Sequence, residues 1–174
     1  MEFEFFLILF LILIITTVFT GSFYNAIWIP TKKKDYDRIA RLSNLKPGMV
    51  FCDLGSGNGN MLFYLSKNYG VECIGIEISP FWYFYSKIKS LFYKKVKIIY
   101  GNFNKYNLSG VDVVYIFLTD KAPKKLKEKL VKELKENSKI ILPCWSFKNI
   151  KPTKINKKNK EVSYYLYNKT ALSK

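Results

Sequence analysis

The segment Asp53-Leu54-Gly55-Ser56-Gly57-Asn58-Gly59 places an acid before three glycines at alternate positions. Glycines permit positive φ and close approach to the backbone, and a helix starting directly behind them presents unsatisfied N–H groups. The spacing discriminates between cofactors. A dinucleotide fingerprint G-x-G-x-x-G would need glycine at position 60, which is Asn60. The third glycine is instead Gly59, a tighter loop that fits a cofactor without phosphates. A second acid, Glu77, follows 22 residues after Gly55 at the expected end of the next strand. There it would accept hydrogen bonds from both hydroxyls of a ribose. A lone G-x-G-x-G also suits an ordinary turn. Its combination with Asp53, Glu77 and a β-α-β context is what points to a cofactor.

Elements that would position these residues follow from periodicity. Asp35 to Leu45 reads as a helix, Met49 to Asp53 as a buried strand, and Asn58 to Asn68 as a helix ended by Gly70. Glu72 to Ile78 is the second strand, and Pro80 to Tyr93 a helix with proline near its first turn. Val96 to Tyr100, Val111 to Leu118, Lys139 to Leu142 and Val162 to Tyr167 are further strands. Lys121 to Glu136 is a helix with Leu126, Leu130 and Leu134 on one face and Lys129–Glu133 among its outer ion pairs. Lys151 to Lys160 reads as a basic loop. Repeated β-α-β units predict a mostly parallel sheet with helices on both faces.

Composition removes whole classes of chemistry. The 174 residues contain no histidine, which excludes Ser-His-Asp and Cys-His nucleophiles and His-containing zinc sites. Cys52, Cys73 and Cys144 form no C-x-x-C pair, suit a reducing compartment and read as small buried hydrophobes; no metal site is expected. The formal charge is +16, yet only Arg38 and Arg41 among 29 basic residues are arginine. Specific phosphate readers favour the planar fork of Arg, and A/T-rich codons account for much of the lysine, so nucleic acid is not the expected partner.

No charged residue occurs between Phe5 and Thr31, and Phe5 to Ile15 is apolar on every face. A spanning helix needs about 20 residues. Residues 1–30 are therefore expected to form an uncleaved single-pass transmembrane anchor, with 31–174 as the globular domain. Tyr24 and Trp28 would lie at an aromatic belt, and Lys32-Lys33-Lys34 would place the domain on the cytoplasmic side. A signal peptide is the rival reading; Glu2 and Glu4 and the lack of an Ala-x-Ala site speak against it.

Asp53 to Gly59 resembles motif I of class I S-adenosylmethionine-dependent methyltransferases. The wider chain is similar to a protein-lysine methyltransferase family that includes archaeal enzymes and the membrane-anchored enzyme acting on the ATP synthase c subunit. The residues carrying this are Ile29-Pro30-Thr31, the glycine loop, Glu77-Ile78-Ser79-Pro80, Tyr85-Ser86, Asp112-Val113-Val114, Lys129-Leu130, Glu133-Leu134-Lys135 and Tyr164 to Tyr167. The resemblance implies a Rossmann-like class I methyltransferase fold with a seven-stranded type of sheet. It also implies S-adenosyl-L-methionine as cofactor, with Asp53, Gly55, Ser56, Gly57, Asn58 and Gly59 around its methionine part and Glu77 on its ribose. Asn102 stands where related enzymes often carry Asp for the adenine amino group; a turn residue is the equal alternative.

Methyl transfer is an in-line displacement helped by positioning, and it needs no histidine. Candidates near the acceptor are Tyr85, Thr119, Asp120 and Trp145, with Trp28 and Phe117 as further aromatic walls able to hold an ammonium. Core packing is the competing reading for the aromatics, and a helix N-cap for Asp120. The run Phe81 to Tyr85 cannot all face one core, so Trp82 or Tyr83 is a candidate for the membrane interface. The acceptor is read as lysine of a protein, with a lipid or small membrane-associated molecule as the alternative. A non-catalytic cofactor-binding protein is the third possibility. The sequence does not fix the oligomeric state.

Overall fold

The computed structural model describes the backbone of residues 2–23, 29–117 and 123–172, and their side chains apart from 17–23 and 123–125. Seven strands form one sheet: β1 (Val50–Leu54), β2 (Glu72–Glu77), β3 (Val96–Tyr100), β4 (Val113–Ile116), β5 (Lys139–Pro143), β6 (Lys154–Asn156) and β7 (Tyr164–Asn168). Their order is β3-β2-β1-β4-β5-β7-β6. The first five are parallel to one another, and β7 runs antiparallel to both β5 and β6. This is the expected Rossmann-like α/β arrangement. The order reverses between β1 and β4, which opens the crevice where such sheets take ligands.

The helices are α1 (Glu2–Phe23), α2 (Tyr36–Ser43), α3 (Asn60–Tyr69), α4 (Pro80–Ser90), α5 (Pro123–Glu133) and the short α6 (Lys169–Leu172). Strand residues alternate between two cores. Phe51, Val113, Tyr115 and Ile141 pack with Ile39 of α2 and Leu62 and Leu65 of α3. Cys52, Leu54, Val114 and Ile140 pack with Leu126, Leu130 and Leu134, the i, i+4, i+8 stripe of the α5 region. Each fully buried Leu or Ile contributes about 1.5–3 kcal/mol, so burial on both faces holds the central strands rigid.

Local chemistry sets the ends. Gly70 closes α3 at φ 66°, its N–H donating to the Ser66 carbonyl, as its position predicts. Lys129 pairs with Glu133 at 2.6 Å, and the same carboxylate accepts the Leu108 N–H at 3.1 Å. Three expectations are corrected. The basic loop Lys151–Lys160 contains β6, which gives the edge of β7 a partner. Cys144 is exposed rather than buried, at φ 67° just past β5, whereas Cys52 and Cys73 are buried. The α4 helix stops at Ser90, because the N–H groups of Leu91, Phe92 and Tyr93 donate to carbonyls three residues back.

Arg38 is nearly buried and braces the start of the domain onto the β6–β7 hairpin. Its guanidinium donates to Asp35 at 2.6 Å, Glu161 at 3.0 Å, Asn156 Oδ1 at 2.8 Å and the Val162 carbonyl at 3.1 Å. It also stacks over the Tyr164 ring. The planar fork serves the interior rather than a phosphate.

The α1 helix packs against α4, and its apolar side chains from Phe3 to Ile12 are exposed to their surroundings. Among the described residues no helix is long and apolar enough to cross a membrane. The expected span to about Phe23 has side chains described only as far as Thr16, and Tyr24 and Trp28 of the expected aromatic belt lie outside the described residues.

Candidate functional site

The glycine loop leaves the C-terminal end of β1 and enters α3. Gly55, Gly57 and Gly59 all take left-handed φ, at 93°, 53° and 69°. Their alternate spacing therefore has a backbone cause. The N–H groups of Gly55 and Ser56 both donate to the Ile76 carbonyl, at 2.9 and 3.1 Å, which ties the loop to β2. Asn58 Oδ1 accepts the Asn60 N–H at 3.1 Å and satisfies one orphan donor at the start of α3.

Glu77 ends β2 and is only 7% exposed. Its Oε2 accepts the Gly57 N–H and its Oε1 accepts the Ser79 N–H, both at 2.7 Å. One carboxylate thus clasps the glycine loop to the turn that opens α4. Each oxygen retains lone-pair capacity for a further donor. Burial raises the Glu77 pKa, while the N–H groups of Ser79 and Gly57 act in the opposite direction. Asp53 is buried two residues before Gly55, and in register it lies between Gly75 and Tyr115. Burial first, and then the negative charge of Glu77, push its carboxyl well above the ordinary range.

Two residues that the sequence reading did not single out belong to this frame. Tyr115 on β4 is buried and shares a 2.8 Å hydrogen bond with Thr31. That bond ties the Ile29-Pro30-Thr31 segment to the strand beside Asp53. Gly75 lies under the loop: a Cβ there would meet Ser56 Oγ at 2.6 Å, Leu62 Cδ1 at 2.7 Å and Ile98 Cδ1 at 2.9 Å. An isolated glycine inside a strand pattern is the signal that marks such a close approach. Ser56 Oγ itself is buried with no hydrogen-bond partner among the described residues. Replacing Gly75 by alanine is expected to destabilise the fold by about 1–3 kcal/mol and to weaken cofactor binding through the displaced loop. Thermal melting of G75A beside G75A/S56G checks this, because removing the Ser56 side chain should restore part of the loss. G75A melting with the parent would remove the close approach from the account.

The remaining candidates divide. Asn102 Oδ1 accepts the Asn104 N–H at 2.9 Å and caps a 3-10 turn after β3, so the turn role is occupied. Trp145 is half-buried and packs edge-to-face on Phe147 at 5.8 Å, within the second core. Tyr85 is exposed on α4, edge-to-face with Trp82. Phe117 packs against the first core. Thr119 and Asp120 lie outside the described residues. Among the described residues no cluster of His, Cys, Asp or Glu is placed to hold a metal.

The geometry fits a nucleoside cofactor. A buried carboxylate with free lone pairs stands at a strand end, beside a loop with no side chain on three of its residues. At Gly59 a Cβ would meet the Phe63 ring at 2.9 Å, so the loop admits no bulk there.

The chain is 25% identical over 152 residues to a protein named protein-lysine N-methyltransferase from Saccharolobus islandicus (strain REY15A), covering 80% of this chain and 91% of that one. Among solved structures, an RNA methyltransferase from Salinibacter ruber, crystallised with S-adenosyl-L-homocysteine, has a TM-score of 0.76 at 22% identity, over 80% of this chain and 93% of that one. A SAM-dependent methyltransferase from Thiobacillus denitrificans, also with S-adenosyl-L-homocysteine, has a TM-score of 0.58 at 24% identity, over 74% and 54%. Residues 53–154, more than half of the chain and beginning at the acid of the glycine loop, match the ANTKMT methyltransferase domain, and the chain belongs to that family of S-adenosylmethionine-dependent methyltransferases.

Proposed function

We propose that this methyltransferase transfers methyl groups to lysine side chains of a protein, and that α1 anchors it to a membrane. The observation that carries the acceptor is the match to a protein-lysine N-methyltransferase across 91% of that relative. When bound, S-adenosylmethionine supplies a methyl group on a cationic sulfur. A lysine has a free pKa of ~10.4, so the amine must lose its proton before reacting, and burial beside a positive sulfonium favours that.

In this reading Glu77 accepts from the ribose hydroxyls, Asp53 and the loop Gly55 to Gly59 hold the methionine part, and Asn102 borders the adenine. Tyr85, Thr119, Asp120 and Trp145 remain the acceptor-side candidates. Two features support the anchor: the 22-residue α1, apolar on every face from Phe5 to Ile15, and the lysines 32–34 behind it. Residues 1–30 then form the anchor, 31–174 the catalytic domain, and the lysines set that domain on the cytoplasmic side.

The test incubates full-length protein with radiolabelled S-adenosylmethionine and membranes from its source, then separates protein from lipid. Label on protein lysines, lost in Glu77→Ala, is the expected result. Label confined to the lipid fraction would transfer the assignment to a lipid methyltransferase. Sedimentation with membranes after alkaline carbonate washing is expected for an anchored chain, and release into the wash would remove the anchor.

A further inference from the structure

The α4 helix has two unlike sides. Ser86 and Ser90 are buried toward the domain, and Tyr83 packs on the first core and against the Tyr100 ring. The outer side is uncovered. Phe84 is 54% exposed, Ile88 63%, Leu91 75% and Phe92 82%. Positions 84 and 88 stack on one stripe of α4, Leu91 at its C-cap continues that stripe, and Tyr85 and, in the turn that follows, Phe92 extend it to one side. Contiguous apolar groups this exposed mark an interaction surface.

The charges around the stripe are of one sign. Between Pro80 and Tyr100 there is no acidic residue, whereas Lys87, Lys89, Lys94, Lys95 and Lys97 are all present. Helical spacing puts Lys87 on one border of the stripe and Lys89 on the other. Lys89 is held at its border by Asn60 Oδ1 at 2.7 Å and lies over the Phe63 ring. At the far end, Phe92, Lys94 and Lys95 line a shallow groove with Lys67. The α1 helix, with its own exposed apolar surface, packs against this same α4.

We propose that the Phe84–Ile88–Leu91–Phe92 face of α4 and the turn behind it rests on the surface of an anionic lipid bilayer. An apolar stripe bordered by lysines is the pattern of a helix lying in a membrane interface, where the apolar groups enter the acyl boundary and the ammonium groups reach the headgroups. A second copy of the chain fits less well, since its lysines would face these lysines with no carboxylate in the segment to pair them. The proposal rests on the membrane reading of α1 and goes beyond it. Two contacts instead of one would fix the tilt of the domain, and α4 begins at the turn whose Ser79 N–H holds Glu77. Docking of α4 therefore sets the height of the cofactor site above the bilayer.

The experiment uses the full-length chain with Cys144→Ser, leaving only the buried Cys52 and Cys73. An environment-sensitive fluorophore is placed at Leu91→Cys or, for comparison, at Glu128→Cys on the exposed side of α5. Both are reconstituted in vesicles of phosphatidylcholine with or without phosphatidylglycerol, and flotation and emission are read together. The Leu91 probe is expected to shift to the blue and to be quenched by brominated acyl chains, more strongly with phosphatidylglycerol and less in high salt. The Glu128 probe is expected to stay water-like. A chain that floats while the Leu91 probe stays water-like overturns the α4 contact and leaves the anchor standing. A chain that does not float overturns both. A blue shift that follows protein concentration and ignores lipid composition assigns the face to self-association and overturns the lipid contact.

Discussion

Glu77→Gln is expected to raise the dissociation constant for S-adenosylmethionine by about 10²–10⁴-fold and to lower kcat/KM by a similar factor. Both carboxylate oxygens accept a backbone N–H at 2.7 Å, one from Gly57 and one from Ser79. An amide cannot do this, because its NH₂ must face one of those N–H donors. The loop therefore loses one clasp and the ribose loses one charged acceptor. Hydrogen bonds to charged groups are worth about 1.5–3 kcal/mol each, so two losses amount to about 3–6 kcal/mol, with tenfold in affinity per 1.4 kcal/mol. Fold stability should change little, since the amide also avoids burying a charge that burial already disfavours. Titration with S-adenosyl-L-homocysteine, beside a melting curve, measures both quantities. A dissociation constant within a few fold of the parent would falsify the ribose assignment.

The same clasp explains what the sequence could reveal. Asp53, the three glycines and Glu77 were legible because each is tied to a strand end or to a left-handed backbone angle, and such requirements survive as residue types at fixed spacing. Leu126, Leu130 and Leu134 were legible because an amphipathic helix writes its period directly. The strand β6 was not, since two of its three side chains are exposed and it exists to pair with β7. No alternation of its own announces it.

Cys144 and Gly75 failed for different reasons. Cysteine is among the most buried residue types, but the chain turns at φ 67° directly after β5 and leaves the Cys144 side chain outside. Gly75 carries a readable signal, yet its meaning depends on Ser56 crossing over it, a contact between residues 19 positions apart. The aromatic run Phe81 to Tyr85 was legible as a conflict rather than an answer. The structure resolves that conflict by turning Tyr83 inward and Phe84 outward.

Asp53→Asn should make the folded protein more stable and the enzyme worse. The Asp53 carboxyl is buried, and burial followed by the Glu77 charge holds its pKa well above the ordinary carboxylate value. The folded state therefore keeps a proton that the unfolded chain has already released. Between the unfolded and folded pKa values the folded protein binds more protons, so the stability it contributes is present at low pH and declines as pH rises through that window. Asparagine has no proton to lose. At neutral pH it should gain about 1–2 kcal/mol over the parent, about 3–8 °C in Tm for a chain of this size, and the gain should vanish on acidification. Cofactor affinity should move the other way, because an ionised Asp53 favours the cationic methionine end of S-adenosylmethionine. In the parent, affinity is expected to strengthen with rising pH as Asp53 and Glu77 ionise, both above the ordinary carboxylate range, and in D53N that slope should shrink to the Glu77 part. Melting curves and cofactor titrations as a function of pH read the two opposite signs on one variant. A D53N protein that is both less stable and equally tight for the cofactor would show that Asp53 is a structural acid, satisfied by partners within the fold, and would move the methionine contact onto the loop backbone alone.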